Sequence, residues 1–287
     1  MIASSRFYYP RLGRISCGFQ ASKGAVAYPA RSDTLVFSAD ERSRVEAVAS
    51  VLGGEVRQSP RPAGADERWF VVTQARELEV LLPDLSDRTW DAWYELWGAG
   101  GLVRRCDGAR CLISVDPQTG ERREDLPCLC DGLEPGDEHR CRITCRLNVL
   151  VPRLAPVVPG IGVWQVVSRG ESTYRAIASV LELLRALAQF TPPSRIPLTL
   201  RVESRQGRDA QGRPRRWPVL TLQSAAPMAA LLAHTPGQAA AAAAPAAAAA
   251  VTAPEDSPED SGEEPELTPE DVLSPGGSAS EQVRIPF

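Results

Sequence analysis

The chain has 287 residues, of which 24% are charged, and its formal charge at neutral pH is −4. It contains no run of the ~18 apolar residues that a membrane span needs, and its first 14 residues lack the apolar core of a secretory signal. These features argue against a membrane protein and predict a cytoplasmic one. Arginine outnumbers lysine 31 to 1, which weakens any argument from basic patches alone.

The composition changes abruptly after residue 224. Residues 225–287 carry ten acidic side chains and one basic side chain, which leaves a formal charge of +5 on residues 1–224. This last part is rich in Ala, Pro, Glu, Asp and Ser, and it cannot bury enough apolar surface to offset its backbone entropy. We therefore predict a globular domain over 1–224 and a disordered acidic tail over 225–287. The tail serves either as a solubilising extension or as an internal competitor for a basic surface.

A helix flanked by two strands is predicted in the first quarter of the chain. Ser38 followed by Glu41 is typical of a capping box, and apolar residues then recur at helical spacing, which predicts a helix over 39–52. The apolar runs at 34–37 and 69–73 predict strands on either side of it.

Four aromatic residues come next. Ser86 can cap a second helix, on which Trp90, Trp93, Tyr94 and Trp97 fall at i, i+3, i+4 and i+7. A stripe of this kind is typical of a helix that faces the core. It is also typical of a protein-binding face, because Trp and Tyr are frequent anchors of interfaces.

The C-terminal half of the domain combines strands with one long helix. Residues 142–151 and 163–168 predict a hairpin-like pair of strands, and residues 171–190 carry the longest helical pattern. Two further strands, 196–204 and 217–223, are joined by an arginine-rich segment. Its arginines could contact phosphates or an acidic partner, or they could be the solvated tip of a hairpin. They are Arg205, Arg208, Arg213, Arg215 and Arg216.

Six of the seven cysteines fall within one forty-residue stretch. They are Cys106, Cys111, Cys128, Cys130, Cys141 and Cys145. Turn residues crowd the segment between residues 107 and 140, so that neither a long helix nor a long strand can order it. In a reducing compartment clustered cysteines are more often metal ligands or buried thiols than disulfides. A metal site would supply the missing order.

The spacing C-x21-C-x-C-x10-C favours Cys106, Cys128, Cys130 and Cys141 as four tetrahedral zinc ligands. Reduced structural thiols are the alternative. Two residues are reserve ligands, Cys111 and His139. Cys145 lies in an apolar stretch and is predicted to pack as a small hydrophobic residue. The sequence thus predicts an α+β fold with one mixed or antiparallel sheet, two or three packing helices, a zinc-held insertion at about 104–146 and the disordered tail.

Residues that could carry catalysis are scarce. Only two histidines occur, His139 among the cysteines and His234 in the tail, and the familiar phosphate-binding and hydrolase motifs are absent from the sequence. A zinc ion held by four cysteines has no open position for a substrate. We therefore expect a protein that is not an enzyme and that has no small-molecule substrate.

Four groups of residues appear in the same order as the motifs of a known protein family. They are residues 11–15 (RLGRI); residues 93–97 (WYELW) with 104–108 (RRCDG); residues 126–130 (LPCLC) with Cys141 and 146–147; and residues 162–164 (GVW) with 168–170 and Tyr174. Together they resemble the recombination directionality factor-like proteins of actinobacterial phages and prophages. The resemblance runs from about residue 6 to residue 223, and the recurring cysteines of that family correspond to the four preferred zinc ligands.

The resemblance implies an accessory protein that binds a large serine integrase in its DNA-bound form. Such a factor switches site-specific recombination from integration toward prophage excision, and it performs no covalent chemistry itself. Little or no binding to naked DNA is expected. The candidate partner-binding residues are Trp90, Trp93, Trp97, Arg208, Arg213, Arg215 and Arg216. The alternative is a zinc-stabilised nucleic-acid-binding or regulatory module of a phage or prophage, whose DNA affinity would fall steeply with salt.

Overall fold

The structure is a computed structural model that describes most of residues 8–224. The gaps in this range are 24–25, 61–67, 99–100, 117, 131, 134–136, 189–191, 193–195 and 209–211, and Pro227 is also described. The chain divides into two compact units, Met1–Ala244 and Pro245–Phe287, and every described residue belongs to the first. The predicted disordered tail, 225–287, therefore lies outside the described residues except for Pro227.

The described residues form fourteen β-strands, two α-helices and one 3₁₀ turn at Pro152–Leu154. In chain order they are β1 (Arg11–Lys23), β2 (Val26–Ala39), α1 (Arg42–Leu52), β3 (Val56–Gln58), β4 (Trp69–Val72), β5 (Glu77–Val80), β6 (Trp90–Gly98), β7 (Gly101–Cys106), β8 (Arg110–Val115), β9 (Arg122–Arg123), β10 (Leu126–Pro127), β11 (Arg142–Val149), β12 (Val163–Ser168), α2 (Glu171–Leu187), β13 (Leu198–Arg208) and β14 (Pro214–Ser224). Neither α-helix in this part of the chain has the length and apolar character needed to cross a bilayer.

The strands form two sheets. The larger has eleven strands in the order β10-β8-β7-β6-β11-β12-β1-β2-β4-β3, with β9 paired to β8, and the smaller has the order β14-β13-β5. All pairs are antiparallel except β1 with β12, where Ile15 lies opposite Val166. The N-terminal strand thus lies in the middle of the large sheet, beside a strand from the second half of the domain.

The core lies between the large sheet, the small sheet and the two helices. On α2 the buried residues Ile177, Leu181 and Leu184 recur at i, i+4 and i+7, which places one face of the helix in this core. Two buried aromatic side chains, Phe37 and Trp164, meet edge to face with 5.0 Å between ring centroids. Burial of this apolar surface is the main source of the stability of the domain.

The fold is richer in β-structure than the sequence predicted. The predicted single sheet is wrong, because two sheets are present among the described residues, whereas the two α-helices found there fall within the predicted two or three. The predicted helix over 39–52 is α1, which begins at residue 42, and the predicted helix over 171–190 is α2. The predicted pairing of 142–151 with 163–168 is confirmed by the antiparallel pairing of β11 and β12.

The predicted helix after Ser86 is wrong, because its four aromatic residues lie in strand β6. Trp and Tyr favour strands, and tertiary pairing decides when a short pattern fits both periods. Strand β6 pairs with β7 on one side and β11 on the other, so that backbone N–H and C=O groups on both sides of the strand have hydrogen-bond partners. Alternation along β6 then places Trp93 and Trp97 on one face of the sheet and Trp90 and Tyr94 on the other.

Candidate metal centre and partner-binding face

Short strands bring the cysteines together at one end of the large sheet. Cys106 ends β7 and lies directly opposite Cys111 of β8. The tight turn between them is held by Asp107, whose Oδ1 accepts hydrogen bonds from the backbone N–H of Ala109 at 2.8 Å and of Arg110 at 2.7 Å. These backbone hydrogen bonds keep the pKa of the Asp107 carboxyl below its usual value. The turn therefore fixes the direction in which β7 and β8 present their thiols.

Three thiols converge at this end of the sheet. The Sγ atoms of Cys106, Cys130 and Cys141 all lie within 4.8 Å of one another, and the Cys106 and Cys141 sulfurs are 3.6 Å apart. Two thiolates on a tetrahedral zinc ion, with Zn–S bonds of about 2.3 Å, lie about 3.8 Å apart. The backbone N–H of Cys141 also donates to Cys130 Sγ at 3.3 Å. This cluster could hold a metal ion.

The surroundings of these thiols also fit the alternative of buried reduced cysteines. All seven cysteines are free, and Cys106 and Cys141 are buried beside apolar neighbours. Burial raises the pKa of the Cys106 thiol, and the nearby thiols of Cys141 and Cys111 raise it further. Without a cation the thiols of Cys106 and Cys141 are protonated at neutral pH, whereas a coordinated metal would deprotonate them.

The remaining predicted ligands are distributed around this cluster. Cys128 is half-buried and lies outside the group of three converging thiols. Cys111 is buried against Cys106 but donates its thiol to the carbonyl of Ile113 at 3.2 Å. His139 is exposed, with Nε2 3.6 Å from a carboxylate oxygen of the neighbouring glutamate. Three of the four preferred ligands are thus together.

Cys145 lies apart from the cluster of three converging thiols. It is buried in β11, and its thiol is 3.5 Å from the carbonyl of Ser168 on the neighbouring strand β12. This position agrees with its prediction as a small packing residue.

The sheet face opposite the cysteines carries tryptophan and arginine side chains. Arg105 lies over the Trp93 ring, with its guanidinium carbon 5.9 Å from the ring centroid, and Arg169 lies over Trp97 at the same distance. Trp97 is 42% exposed. We call these four residues the Trp–Arg face. Cation–π contacts of this kind keep large apolar rings ordered at a solvent-exposed surface.

A buried carboxylate beneath the Trp–Arg face holds it together. Glu95 has a fully buried side chain that accepts hydrogen bonds from Trp97 Nε1 at 2.9 Å, Arg105 Nε at 2.9 Å and Arg146 Nη2 at 2.6 Å. Burial alone would raise the pKa of Glu95, but these partners, Arg146 foremost, hold the pKa below its usual value. Arg146 also pairs with Asp91 at 3.4 Å. The carboxylate therefore positions one tryptophan and two arginines.

The sequence did not reveal the role of Glu95 or of its arginine partners. Alternation of Trp93, Glu95 and Trp97 would have placed the three on one face, but only if β6 had been recognised as a strand. Trp90, in contrast, lies on the core side and stacks on Tyr174 with 6.1 Å between ring centroids. The three predicted partner-binding tryptophans therefore do not share one surface.

The arginine-rich hairpin is formed by β13 and β14, as predicted. Its register pairs Gly207 with Arg215 and Arg208 with Pro214. A shallow pocket of about 490 Å³ lies on the hairpin. The residues that line it are Gln206, Gly207, Arg208, Pro214, Arg215 and Arg216. The predicted partner-binding arginines are thus together on the hairpin. They are distant in sequence from the Trp–Arg face, and the hairpin strands belong to the smaller sheet.

A model of the Gp3-like family, described as recombination directionality factor-like, matches residues 12–225. The chain belongs to this Gp3-like family. No curated protein and no solved structure matches the chain. The match covers nearly all of the described residues, including the cysteine cluster, the Trp–Arg face and the arginine hairpin. Membership of the Gp3-like family supports a role in the control of recombination.

Sequence motifs that resemble the Gp3-like family meet on the large sheet. Gly13 of β1 lies beside Trp164 of β12. A Cβ atom on Gly13 would lie 2.6 Å from the Trp164 ring and 2.3 Å from the Ser38 carbonyl oxygen, so that only glycine fits there. Arg169 and Tyr174 belong to the same group of motif residues as Trp164. They contact Trp97 and Trp90 respectively. These motifs therefore build the frame that presents the Trp–Arg face.

Proposed function

We propose that this protein is an accessory factor that binds a large serine integrase in its DNA-bound form, in the cytoplasm. Binding shifts site-specific recombination from integration toward prophage excision, and the factor itself forms or breaks no covalent bond. The observation that carries the proposal is the family match over residues 12–225. The exposed Trp97 and the half-buried Trp93, which lie beside a buried ionic network, are the structural features that fit a protein partner.

A factor of this kind can act only through unequal affinity for two integrase–DNA assemblies. Moving the outcome from mostly integrated to mostly excised takes about 5 kcal/mol of differential binding. A few well-packed anchors can supply this free energy, because single Trp or Arg residues at hot spots contribute about 2 kcal/mol or more. The Trp–Arg face offers two tryptophans and two arginines within one patch.

The Trp–Arg face is suited to tight binding because it is already ordered. The Trp97 indole is fixed by its hydrogen bond to Glu95, and Arg105 is fixed by two contacts with the same carboxylate at 2.8 and 2.9 Å. Side chains that are held in place before binding lose little conformational entropy when a partner arrives. We propose that this face contacts the integrase, and that the arginine hairpin is a second surface toward the integrase–DNA assembly.

The metal in our proposal is zinc, held by Cys106, Cys128, Cys130 and Cys141. Thiolate donors and a closed four-ligand site are typical of structural zinc. Strand β7 ends at Cys106 and pairs along its length with β6, where Trp97 lies opposite Leu102. A zinc ion that fixes β7 would therefore also fix the strand that carries the tryptophans.

A recombination assay with purified components tests the proposed function. The serine integrase encoded nearest the gene would be incubated with paired hybrid attachment sites, with and without this protein. Excision that requires the protein is the expected result. A protein that neither stimulates excision nor co-purifies with the integrase would contradict the proposal. Sub-micromolar binding to naked DNA at physiological salt would then favour the alternative, a zinc-stabilised nucleic-acid-binding or regulatory module.

Trp97→Ala is expected to weaken integrase binding at least tenfold, because a hot-spot tryptophan contributes about 2 kcal/mol. Binding would be measured by surface plasmon resonance, and the melting temperature of each variant would be recorded. Tyr94→Ala is the matched control, since Tyr94 is 43% exposed on the opposite face of the same strand. An equal loss of binding in both variants would remove the Trp–Arg face from the interface.

Serine substitutions distinguish the two cysteines, Cys128 and Cys111, that are candidates for the fourth ligand. Cys128 is half-buried and has no thiol contact of its own in the described residues, so Cys128→Ser removes little besides a ligand. We expect Cys128→Ser to weaken zinc binding at least tenfold in a chelator competition assay. We expect Cys111→Ser, which removes a buried thiol that contacts Ile113, to keep the metal. The reverse pattern would assign Cys111 as the ligand.

A further inference from the structure

The outer half of the β13–β14 hairpin extends beyond the core as a two-stranded arm. The last core pair is Glu203 with Val219, and five further residue pairs follow, from Ser204 with Pro218 to Arg208 with Pro214. At about 3.3 Å per residue these pairs span about 17 Å. Arginine side chains occupy both faces of the arm, and those of Arg205, Arg208, Arg215 and Arg216 are all exposed.

The described residues of the arm concentrate arginines that no described carboxylate neutralises. Several exposed arginines elsewhere pair with a nearby glutamate, as Arg57 does with Glu55 at 3.0 Å and Arg122 with Glu124 at 2.7 Å. Others, among them Arg31, have no carboxylate partner among the described residues, but they lie on different elements. On the arm four arginines without a described carboxylate partner share one pair of strands: Arg205, Arg208, Arg215 and Arg216. An arginine-rich composition explains single unpaired arginines, whereas the arm places four of them together.

Local packing keeps the arm rigid. The Trp217 ring lies against the backbone of Gly207, where an added Cβ would come within 2.7 Å of the ring. Arg208 donates to the carbonyl of Gly212 at 2.7 Å across the end of the hairpin, and Arg216 donates to the hydroxyl of Ser204. A rigid ribbon holds its charges at fixed spacing, which reduces the entropy lost when the ribbon binds.

We propose that this arm binds the phosphate backbone of duplex DNA. A guanidinium group matches phosphate geometry, and a two-stranded ribbon fits a major groove about 12 Å wide. Four phosphate contacts give a slope of log K against log salt of about −3.6, so that affinity is weak at physiological salt. The arm would therefore act mainly where another protein already holds the DNA, which agrees with the little binding to naked DNA that we expect.

The salt dependence of DNA binding tests the arm. The full-length protein would be titrated onto a fluorescent 30-base-pair duplex in 50 to 200 mM NaCl, and we expect its affinity to fall about a hundredfold. The arm variant combines four changes: Arg205→Gln, Arg208→Gln, Arg215→Gln and Arg216→Gln. The control loses the same charge at carboxylate-paired sites: Arg57→Gln, Arg122→Gln, Arg123→Gln and Arg175→Gln. We expect the arm variant to lose nearly all of this salt dependence and the control to keep it.

Two results would overturn the proposal. The first is an arm variant whose salt slope equals that of the wild type. The second is an arm variant that loses integrase binding without DNA while its own DNA binding is unchanged, which would make the arm a protein interface. The DNA titration uses no integrase, so its outcome is independent of the excision assay. Circular dichroism and the melting temperature would confirm that each variant is folded.

Discussion

With the proposed zinc site, Cys141→Ser is expected to abolish zinc binding and to destabilise the domain by at least about 4 kcal/mol. Loss of a structural metal belongs to the small group of changes with effects this large, because the metal-binding free energy is also folding free energy. Cys141 is buried, lies 3.6 Å from Cys106 and directly precedes β11. Zinc content by mass spectrometry and thermal unfolding with and without a strong chelator would measure both effects.

Cys145→Ala is the matched control for this change. Cys145 is also buried, four residues further along the chain in β11, but its thiol faces the carbonyl of Ser168 rather than the cluster. We expect this variant to keep one zinc ion and to lose only the packing of one sulfur atom, about 1 kcal/mol. A wild type that contains no zinc, and whose melting temperature a strong chelator leaves unchanged, would instead show that the cluster consists of reduced structural thiols.

Glu95→Ala is expected to destabilise the domain by about 3 kcal/mol at neutral pH, because it removes the closer of the two carboxylates that pair with the largely buried Arg146. The carboxylate is fully buried and contacts Arg105 and Arg146 at 2.8 and 2.6 Å. Urea unfolding at pH 7 would measure this change. Glu46→Gln is the control, since its exposed pair with Arg42 should contribute less than about 0.5 kcal/mol.

The pH dependence of the Glu95 effect has a definite sign. Its pKa in the folded protein is lowered, so its stabilising contribution is complete above the pKa of about 4.3 that the unfolded chain has. The contribution is lost as the pH falls below that value and through the lower folded pKa. The wild type and Glu95→Gln should therefore converge in stability below about pH 4. A constant difference in the free energy of unfolding between the two proteins from pH 7 to pH 3 would contradict the ionic role of Glu95. Because the two proteins are compared at equal pH, any acid-induced loss of zinc affects both and cancels.

Local patterns predicted the helices and hairpins whose residues are neighbours in sequence. The i, i+4, i+7 pattern identified α2, and two apolar runs separated by arginines identified β13 and β14. The β6 prediction failed because four aromatic residues satisfied the helical period, while the alternation of Trp93, Glu95 and Trp97 also fitted a strand. Pairing with β7 and β11 decided between the two, and such long-range pairing leaves no local pattern.

The cysteine segment was predictable in composition but not in geometry. Clustering and turn content indicated a metal site, and three of the four preferred ligands are together. Sequence spacing could not reveal that Cys111 lies opposite Cys106, because this depends on the register of β7 with β8. The Trp–Arg face was likewise out of reach, since Arg105, Arg146 and Arg169 reach it from three different parts of the chain.

The parallel pairing of β1 with β12 also sets the order in which the domain can assemble. Ile15 and Val166 lie side by side although 151 positions separate them in sequence. During synthesis the pairing of β1 with β12 must wait until β12 has left the ribosome. In contrast, β1 can pair early with β2, and β6, β7 and β8 are successive strands that can also pair early. The end of the sheet that carries the cysteine cluster can therefore form before the centre of the sheet closes. A fragment that stops before residue 163 would lack the strand that joins the two halves of the sheet.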